Sequence, residues 1–265
     1  FGSSTPAVCT VAGSTVSYLA AGSCTVTADQ AGSAAYNPAP QVTLIITVNK
    51  ADQDITGLAA NPDPGEVDGT SALSATASSG LDVTFGSSTP AVCTVAGSTV
   101  SYVTAGTCTV TADQAGDADY NAATQVTLDI TVNPADQTIT GLAADPAGGQ
   151  TGGTSALSAT ASSGLAVTFA SSTAPICTVS GSTVTYIAVG TCTITADQAG
   201  DANYNAAPQV SIDITVAMGD QVITDFVSNP PVGAIGLTAT LSATGGASGN
   251  PVTFGSLTPD VCTVS

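Results

Sequence analysis

Several residue types that enzymes depend on are absent or nearly absent from this sequence. It has no histidine, no tryptophan, one methionine and a single basic residue, Lys50. Acid–base and nucleophilic catalysis rely mostly on histidine, lysine, cysteine or paired carboxylates. A catalytic centre would have to be built from Asp, Glu66, Ser, Thr and Tyr alone. The sequence therefore predicts a protein that is not an enzyme and that has no catalytic residue and no organic cofactor.

The scarcity of basic residues also excludes two classes of partner. Nineteen acidic residues against one basic residue give a formal net charge of −18. Proteins that bind nucleic acid or anionic lipid need lysine and arginine to neutralise phosphate. No apolar run approaches the roughly 18 residues that cross a bilayer. We therefore expect no nucleic-acid partner and no membrane insertion of this segment.

What the sequence does contain is a long internal repeat. The segment Phe-Gly-Ser-Ser-Thr-Pro-Ala-Val-Cys at Phe1 returns, with small changes, at Phe85, Phe169 and Phe254. The spacings are 84, 84 and 85 residues. Such a period is too long for ankyrin-type or leucine-rich solenoids and suits one small β-sandwich domain per repeat.

The domains are expected to begin out of phase with the first residue. Ala-Asp-Gln at residues 51–53 and 135–137, and Gly-Asp-Gln at 219–221, each follow a predicted strand and a short linker. We place complete repeats at 51–134 and 135–218, with the C-terminal part of a repeat in 1–50 and the N-terminal part of another in 219–265. Because Phe1 is not a start methionine, the segment is expected to be internal to a longer chain.

Alternation of apolar and polar residues predicts about seven strands in each repeat. In the last one, Val210, Ile212 and Ile214 share one face while Ser211 and Asp213 share the other. No stretch of ten residues shows helical spacing. The sequence therefore predicts an all-β chain of tandem immunoglobulin-like β-sandwich domains. The strands of 135–218 are expected at approximately 137–141, 155–161, 165–171, 176–180, 182–188, 190–197 and 209–216.

The stretch from Ser88 to Val100, followed by Ala105 to Ala112, resembles bacterial immunoglobulin-like (Big-type) repeats. These occur in adhesins of the intimin and invasin kind and in giant cell-surface proteins. Their pattern is P-x-V-A-x-V, G-x-V and A-G-x-A-x-I-x-A on three successive strands. Here Cys93 and Cys108 replace alanines of the first and third strands. The resemblance covers every repeat and implies a fold and an array architecture, whereas it does not imply a ligand.

Each repeat carries two cysteines fifteen residues apart, both on strand faces with apolar neighbours. A zinc site would lack histidine ligands, and free core thiols of a cytosolic protein are the other alternative. Disulfides would place the chain in an oxidising compartment, extracellular or at the cell surface. The predicted pairs are Cys9–Cys24, Cys93–Cys108 and Cys177–Cys192, and Cys262 is expected to pair beyond Ser265.

Acidic residues at one end of each repeat are candidate calcium ligands. In an immunoglobulin-like domain the start of the first strand and the loop before the last strand lie at the same end, and oxygen-rich clusters suit calcium. The first copy has Ser33 and Ala35 where the second has aspartates, which favours solvated turn residues as the alternative. The candidates are Asp52, Asp54, Asp113, Asp117 and Asp119 in the second repeat, with Asp136, Asp197 and Asp201 in the third.

Tyrosines also recur in pairs. Regularly spaced tyrosines are typical of packing residues whose hydroxyl is held by a loop, and a carbohydrate-binding platform is the alternative. The pairs are Tyr18 and Tyr36, Tyr102 and Tyr120, and Tyr186 and Tyr204.

Together these features predict a structural or adhesive array that forms a stalk, fibre or filament outside a bacterial-type cell. The alternatives are a surface module that binds carbohydrate or a host protein, and a spacer for an enzyme domain elsewhere. Near-identical repeats favour the first. With 8% charged residues and a mean hydropathy of +0.36, the surface favours packing against copies of itself, head to tail or laterally.

Overall fold

The alternating segments form strands along the whole chain in the computed structural model, which describes residues 1–265. No helix is present, so none is long and apolar enough to span a membrane. Contacts divide the chain into two units. Unit 1 comprises Phe1–Asp136 with Gly200–Ala206, and unit 2 comprises Gln137–Ala199 with Ala207–Ser265.

Unit 1 begins with a partial repeat of five strands. They form a three-stranded sheet in the order β1-β4-β5 and a separate hairpin of β2 and β3. All these pairs are antiparallel. The strands are β1 Gly2–Ser3, β2 Cys9–Ala12, β3 Thr15–Tyr18, β4 Gly22–Ala28 and β5 Val42–Val48.

The second repeat is a complete sandwich of two four-stranded sheets. One sheet has the order β10-β11-β8-β6 and the other β7-β13-β12-β9, in which only β7 and β13 are parallel. Their facing sides enclose a core that includes Val100, Val110 and Ile130, all fully buried. The strands are β6 Ile55–Asn61, β7 Gly65–Glu66, β8 Thr70–Ala77, β9 Thr84–Ser87, β10 Cys93–Ala96, β11 Thr99–Tyr102, β12 Gly106–Asp113 and β13 Val126–Asn133.

Unit 2 repeats this sandwich and adds the start of another. Its sheets have the orders β14-β16-β19-β18 and β15-β21-β20-β17, followed by a hairpin of β22 and β23. The strands are β14 Ile139–Asp145, β15 Gly149–Gln150, β16 Thr154–Ala161, β17 Thr168–Ser171, β18 Cys177–Ser180, β19 Thr183–Tyr186, β20 Gly190–Asp197, β21 Val210–Ala217, β22 Thr224–Asn229 and β23 Thr240–Thr244.

The predicted fold class, tandem immunoglobulin-like β-sandwiches, is confirmed, with differences in several strands. The strands expected at 165–171 and 182–188 are shorter and span Thr168–Ser171 and Thr183–Tyr186. The first strand, expected at 137–141, is Ile139–Asp145, because a bulge between Thr140 and Ala143 interrupts the alternation where Gly141 has φ +70°. The strand β15 was not predicted, since two residues show no periodicity. The repeat boundaries at 51, 135 and 219 stay a prediction.

Candidate functional site

A disulfide joins the two sheets inside each sandwich. Cys93 on β10 is bonded to Cys108 on β12, and these strands belong to opposite sheets. The Cα atoms are 5.6 Å apart, and both cysteines are fully buried. Equivalent bonds link Cys9 to Cys24 and Cys177 to Cys192.

Two side-chain hydroxyl groups lie close to the sulfur of the first cysteine of each pair. Ser87 Oγ and Thr89 Oγ1 lie 3.3 and 3.6 Å from Cys93 Sγ, and Thr89 Oγ1 also accepts a hydrogen bond from the Thr109 nitrogen of β12 at 2.9 Å. Sequence reasoning missed this arrangement, although its signal is a Ser-x-Thr whose serine and threonine lie six and four residues before the first cysteine of each pair. The corresponding hydroxyls lower the pKa of the Cys262 thiol, which is exposed.

The first tyrosine of each complete repeat is a core residue. The Tyr102 hydroxyl donates to Ser71 Oγ at 2.7 Å, and Ser71 Oγ donates to the Pro62 carbonyl at 2.6 Å. A Cβ on Gly65 would overlap the Tyr102 ring. The strand β7 can therefore pack this close to the ring only because residue 65 is a glycine. The third repeat has the same arrangement around Tyr186.

A buried glutamine organises the end of the repeat where the acidic residues lie. Gln53 Nε2 donates to Gln114 Oε1 at 2.6 Å and to the Asn121 carbonyl at 2.7 Å. Its Oε1 accepts from Ser79 Oγ at 2.5 Å. Sequence reasoning missed this network, and the recurring Asp-Gln at the start of each repeat is the signal that could have found it.

Most candidate calcium ligands of the second repeat accept hydrogen bonds from neighbouring groups of the protein. Asp52 accepts from Asn121 Nδ2 at 2.8 Å, and Asp113 accepts from Gln125 Nε2 at 2.8 and 3.0 Å. The Asp54 backbone nitrogen, rather than its carboxylate, bonds to Ser78 Oγ. These contacts tie the loop before β13 to the start of the repeat and to the end of β12.

The remaining candidates show the same local bonding. Asp117 Oδ1 accepts from the backbone nitrogens of Asp119 and Tyr120 at 2.8 and 2.9 Å, which closes a tight turn. In the third repeat, Asp201 closes the equivalent turn. Asp136 accepts from Asn205, and Asp197 accepts from Gln209, each at 2.8 Å.

Asp119 differs from the other candidates because it bonds to the preceding repeat. Its Oδ1 accepts from the Ala21 backbone nitrogen at 2.7 Å. Unit 1 contains a second bond of this kind, in which Asn203 Oδ1 accepts from the Ala105 nitrogen at 2.9 Å. The loop before the last strand of one repeat therefore holds the backbone of the repeat before it.

A tyrosine reinforces the second of these contacts. Tyr204, which belongs to unit 1, donates its hydroxyl to Asp68 Oδ2 at 2.6 Å. This hydrogen bond raises the pKa of Tyr204, since the carboxylate stabilises the protonated hydroxyl. The bond is therefore present at neutral pH and is lost only as the pH rises through that raised value.

The structure brings no three of the candidate carboxylates together as a metal-binding group, and calcium binding stays a prediction. Bound calcium would stabilise the folded state by mass action, so the hypothesis predicts that EDTA lowers the Tm of the calcium-loaded chain. The double variant D117S/D119A has the serine and alanine of the first copy at these positions, so EDTA should no longer lower its Tm. An unchanged Tm on chelation would leave the carboxylates as turn residues.

Comparisons with known proteins find only remote similarities. No protein-family model matches it, and no curated protein does. Similar solved structures include the Escherichia coli adhesin FdeC, at 19% identity over 77% of this chain and 76% of that one, with a TM-score of 0.29.

Two further structures have comparable values. Domains 4 and 5 of the S-layer protein SbsC are 18% identical over 62% of this chain and 99% of theirs, with a TM-score of 0.24. The C-terminal fragment of intimin, solved with the intimin-binding domain of its translocated receptor, is 19% identical over 67% of each chain, with a TM-score of 0.26. The immunoglobulin-like assignment therefore rests on the sheet orders and registers of this chain.

Proposed function

We propose that this chain is part of a structural or adhesive repeat array, of the Big type, that forms a stalk or fibre outside a bacterial-type cell. The observation that carries the proposal is the contact between successive repeats in unit 1. The Asp119 side chain bonds to the Ala21 backbone, and the Ala51 nitrogen donates to the Asp119 carbonyl at 2.8 Å. One loop thus binds both the start of its own repeat and the previous repeat, which restrains bending between them.

The covalent structure supports an extracellular location. Each disulfide is fully buried and connects opposite sheets. Disulfides of this kind persist in oxidising compartments and are rare in the reducing cytosol. Extracellular domains also cannot rely on cellular chaperones. A disulfide that keeps the two sheets joined when part of a domain opens therefore suits an array that bears load.

The uniform interior of the repeats supports a structural role. The second and third repeats use the same buried glutamine, the same tyrosine–serine pair and the same inter-sheet disulfide. The distinctive side chains of each repeat are therefore engaged in holding its fold and its neighbour. We expect electron microscopy of the native material to show thin rods or fibres. Isolated compact particles would contradict the proposal.

The junction provides a sharper test. The variant D119A removes the acceptor of the Ala21 nitrogen, and we expect it to increase bending between the first and second repeats with little change in Tm. The control is D119N, because Asn203 makes the equivalent bond with an amide oxygen. Double electron–electron resonance between spin labels on the two repeats would report the distribution of distances. Equal widths for wild type, D119A and D119N would contradict a stiffening role.

A further inference from the structure

The turn at residues 66–69, which we call the bridging turn, lies where the second repeat passes from one sheet to the other. The Val67 nitrogen donates to the Asn133 carbonyl of β13 at 3.0 Å. The Asp68 nitrogen donates to the Tyr102 carbonyl of β11 at 3.1 Å. Because β11 and β13 belong to opposite sheets, the bridging turn ties the two sheets together.

Asp68 has a backbone conformation that is unfavourable for an aspartate. Its φ is +64°, and the equivalent residue of the third repeat is Gly152, with φ +84°. Glycine enters this left-handed region freely, whereas a residue with a Cβ is strained there. The hydrogen bond that its carboxylate accepts comes from Tyr204 of the third repeat, at 2.6 Å. The second repeat therefore contains a strained residue whose side chain binds the repeat that follows it.

The Tyr204 ring also packs on the core of the second repeat. Together with Ala135, it contacts the buried cluster that includes Val67. The Ala135 nitrogen donates to the Asn203 carbonyl at 2.9 Å, which fixes the backbone next to the tyrosine. Residues 200–206 accordingly belong to the same compact unit as the second repeat.

We propose that Tyr204 is a latch, supplied by the third repeat, that holds the bridging turn of the second repeat in place, and that Asp68 is the residue that selects it. The partner that fits this end of the second repeat is a repeat with a tyrosine in the loop before its last strand. The dependence runs in one direction, because the Tyr204 hydroxyl bonds to the second repeat. This proposal concerns the fold of one repeat and does not depend on the array function.

The fixed positions of both partners distinguish this contact from an ordinary surface hydrogen bond. An exposed bond contributes little where ordering its two side chains costs entropy. Here the bridging turn fixes the Asp68 backbone, and core packing restrains the Tyr204 ring. Less freedom therefore remains to be lost when the hydroxyl and the carboxylate meet.

The first test is native-state hydrogen exchange of the 265-residue chain with Y204F. The variant keeps the ring and removes the hydroxyl. The amides of Val67 and Asp68 should exchange about fivefold faster, the usual effect of losing one hydrogen bond. The equivalent amides of Thr151 and Gly152 should not change, although the substituted residue belongs to their repeat. Unchanged exchange at Val67 and Asp68, or equal acceleration in both repeats, would overturn the proposal.

The second test is a double-mutant cycle of Y204F with D68G, which gives the second repeat the glycine of the third. With Tyr204 present, D68G removes the acceptor and should accelerate exchange at Val67 about fivefold. In the Y204F background it should cause no further acceleration, because the relieved backbone strain offsets the greater freedom of glycine in the unfolded chain. Equal acceleration in both backgrounds would show that Asp68 stabilises only its own repeat.

A matched control removes a negative charge from the same turn. Glu66 is exposed two residues before Asp68, and the third repeat has Gln150 at the equivalent position. The variant E66Q should therefore leave the exchange unchanged. An acceleration as large as that of D68G would mean that the lost charge, rather than the lost latch, is responsible. The array function is tested separately by the D119A distance measurement, so the two proposals can fail independently.

The ionisation of Tyr204 gives a third, independent measurement. The difference in ultraviolet absorbance between the wild type and Y204F isolates this tyrosine. Because the hydrogen bond to Asp68 raises the pKa of Tyr204, the difference between D68G and D68G/Y204F should titrate at a lower pH. Asp201, the other carboxylate that raises this pKa, is present in all four proteins. Equal midpoints would show that the Asp68 carboxylate does not hold the hydroxyl and would overturn the proposal.

Discussion

Removing the Cys177–Cys192 disulfide with the double variant C177A/C192A is expected to lower the free energy of unfolding of the third repeat by about 3 kcal/mol. A cross-link that closes a loop of about 15 residues has this effect in the chain-entropy account, since it restricts the unfolded chain. Both cysteines are fully buried and tie β18 of one sheet to β20 of the other. A repeat of this size should lose roughly 12–24 °C in Tm.

Native-state hydrogen exchange is the appropriate measurement, because it reports each repeat separately. The slowest amides of β20 should lose protection by the full loss in unfolding free energy, about 3 kcal/mol. The amides of β12 in the second repeat should not change. The control C262S removes an exposed free thiol and should alter stability by less than about 0.5 kcal/mol. Equal protection in the double variant and the wild type would show that the cross-link does not stabilise the fold. Free thiols at Cys177 and Cys192 in native material would contradict the extracellular location.

The features that sequence could predict are those with a short-range signal. The alternation in Val210–Ala217 specifies a half-buried strand by itself, and the period near 84 residues specifies tandem domains. Pairing the cysteines required only the repeat phase and the apolar neighbours of Cys93 and Cys108. All of these depend on residues close together in the sequence, or on comparison between copies.

The features that sequence could not predict depend on the strand register. Gln53 bonds to groups 61 and 68 residues away, and Tyr102 to a serine 31 residues away. Neither pairing has a local pattern, because the register of the sheets decides which side chains meet. The candidate calcium ligands show that topology alone does not predict a binding site either. Topology places Asp52 and Asp117 at one end of the repeat, yet each carboxylate bonds to a nearby amide group.

Replacing Tyr186 by alanine is expected to destabilise the third repeat by about 3–5 kcal/mol, the range for deleting a large buried aromatic side chain. The ring packs against Gly149, which has no side chain of its own to fill the space that the ring would leave. The variant would also leave Ser155 Oγ without the hydroxyl that donates to it at 2.8 Å. We expect faster hydrogen exchange in β16 and β19, the two strands that the hydrogen bond between Tyr186 and Ser155 connects.

The conservative variant Y186F separates packing from hydrogen bonding. It keeps the ring and removes only the hydroxyl, while Ser155 Oγ can still donate to the Pro146 carbonyl at 2.8 Å. Its cost should be about 1 kcal/mol. Tyr36, which is 80% exposed, provides the surface control, and Y36A should change stability by less than about 0.5 kcal/mol. A Y186A variant as stable as Y186F would mean that the ring contributes little, and that the disulfide and the aliphatic core alone hold the two sheets together.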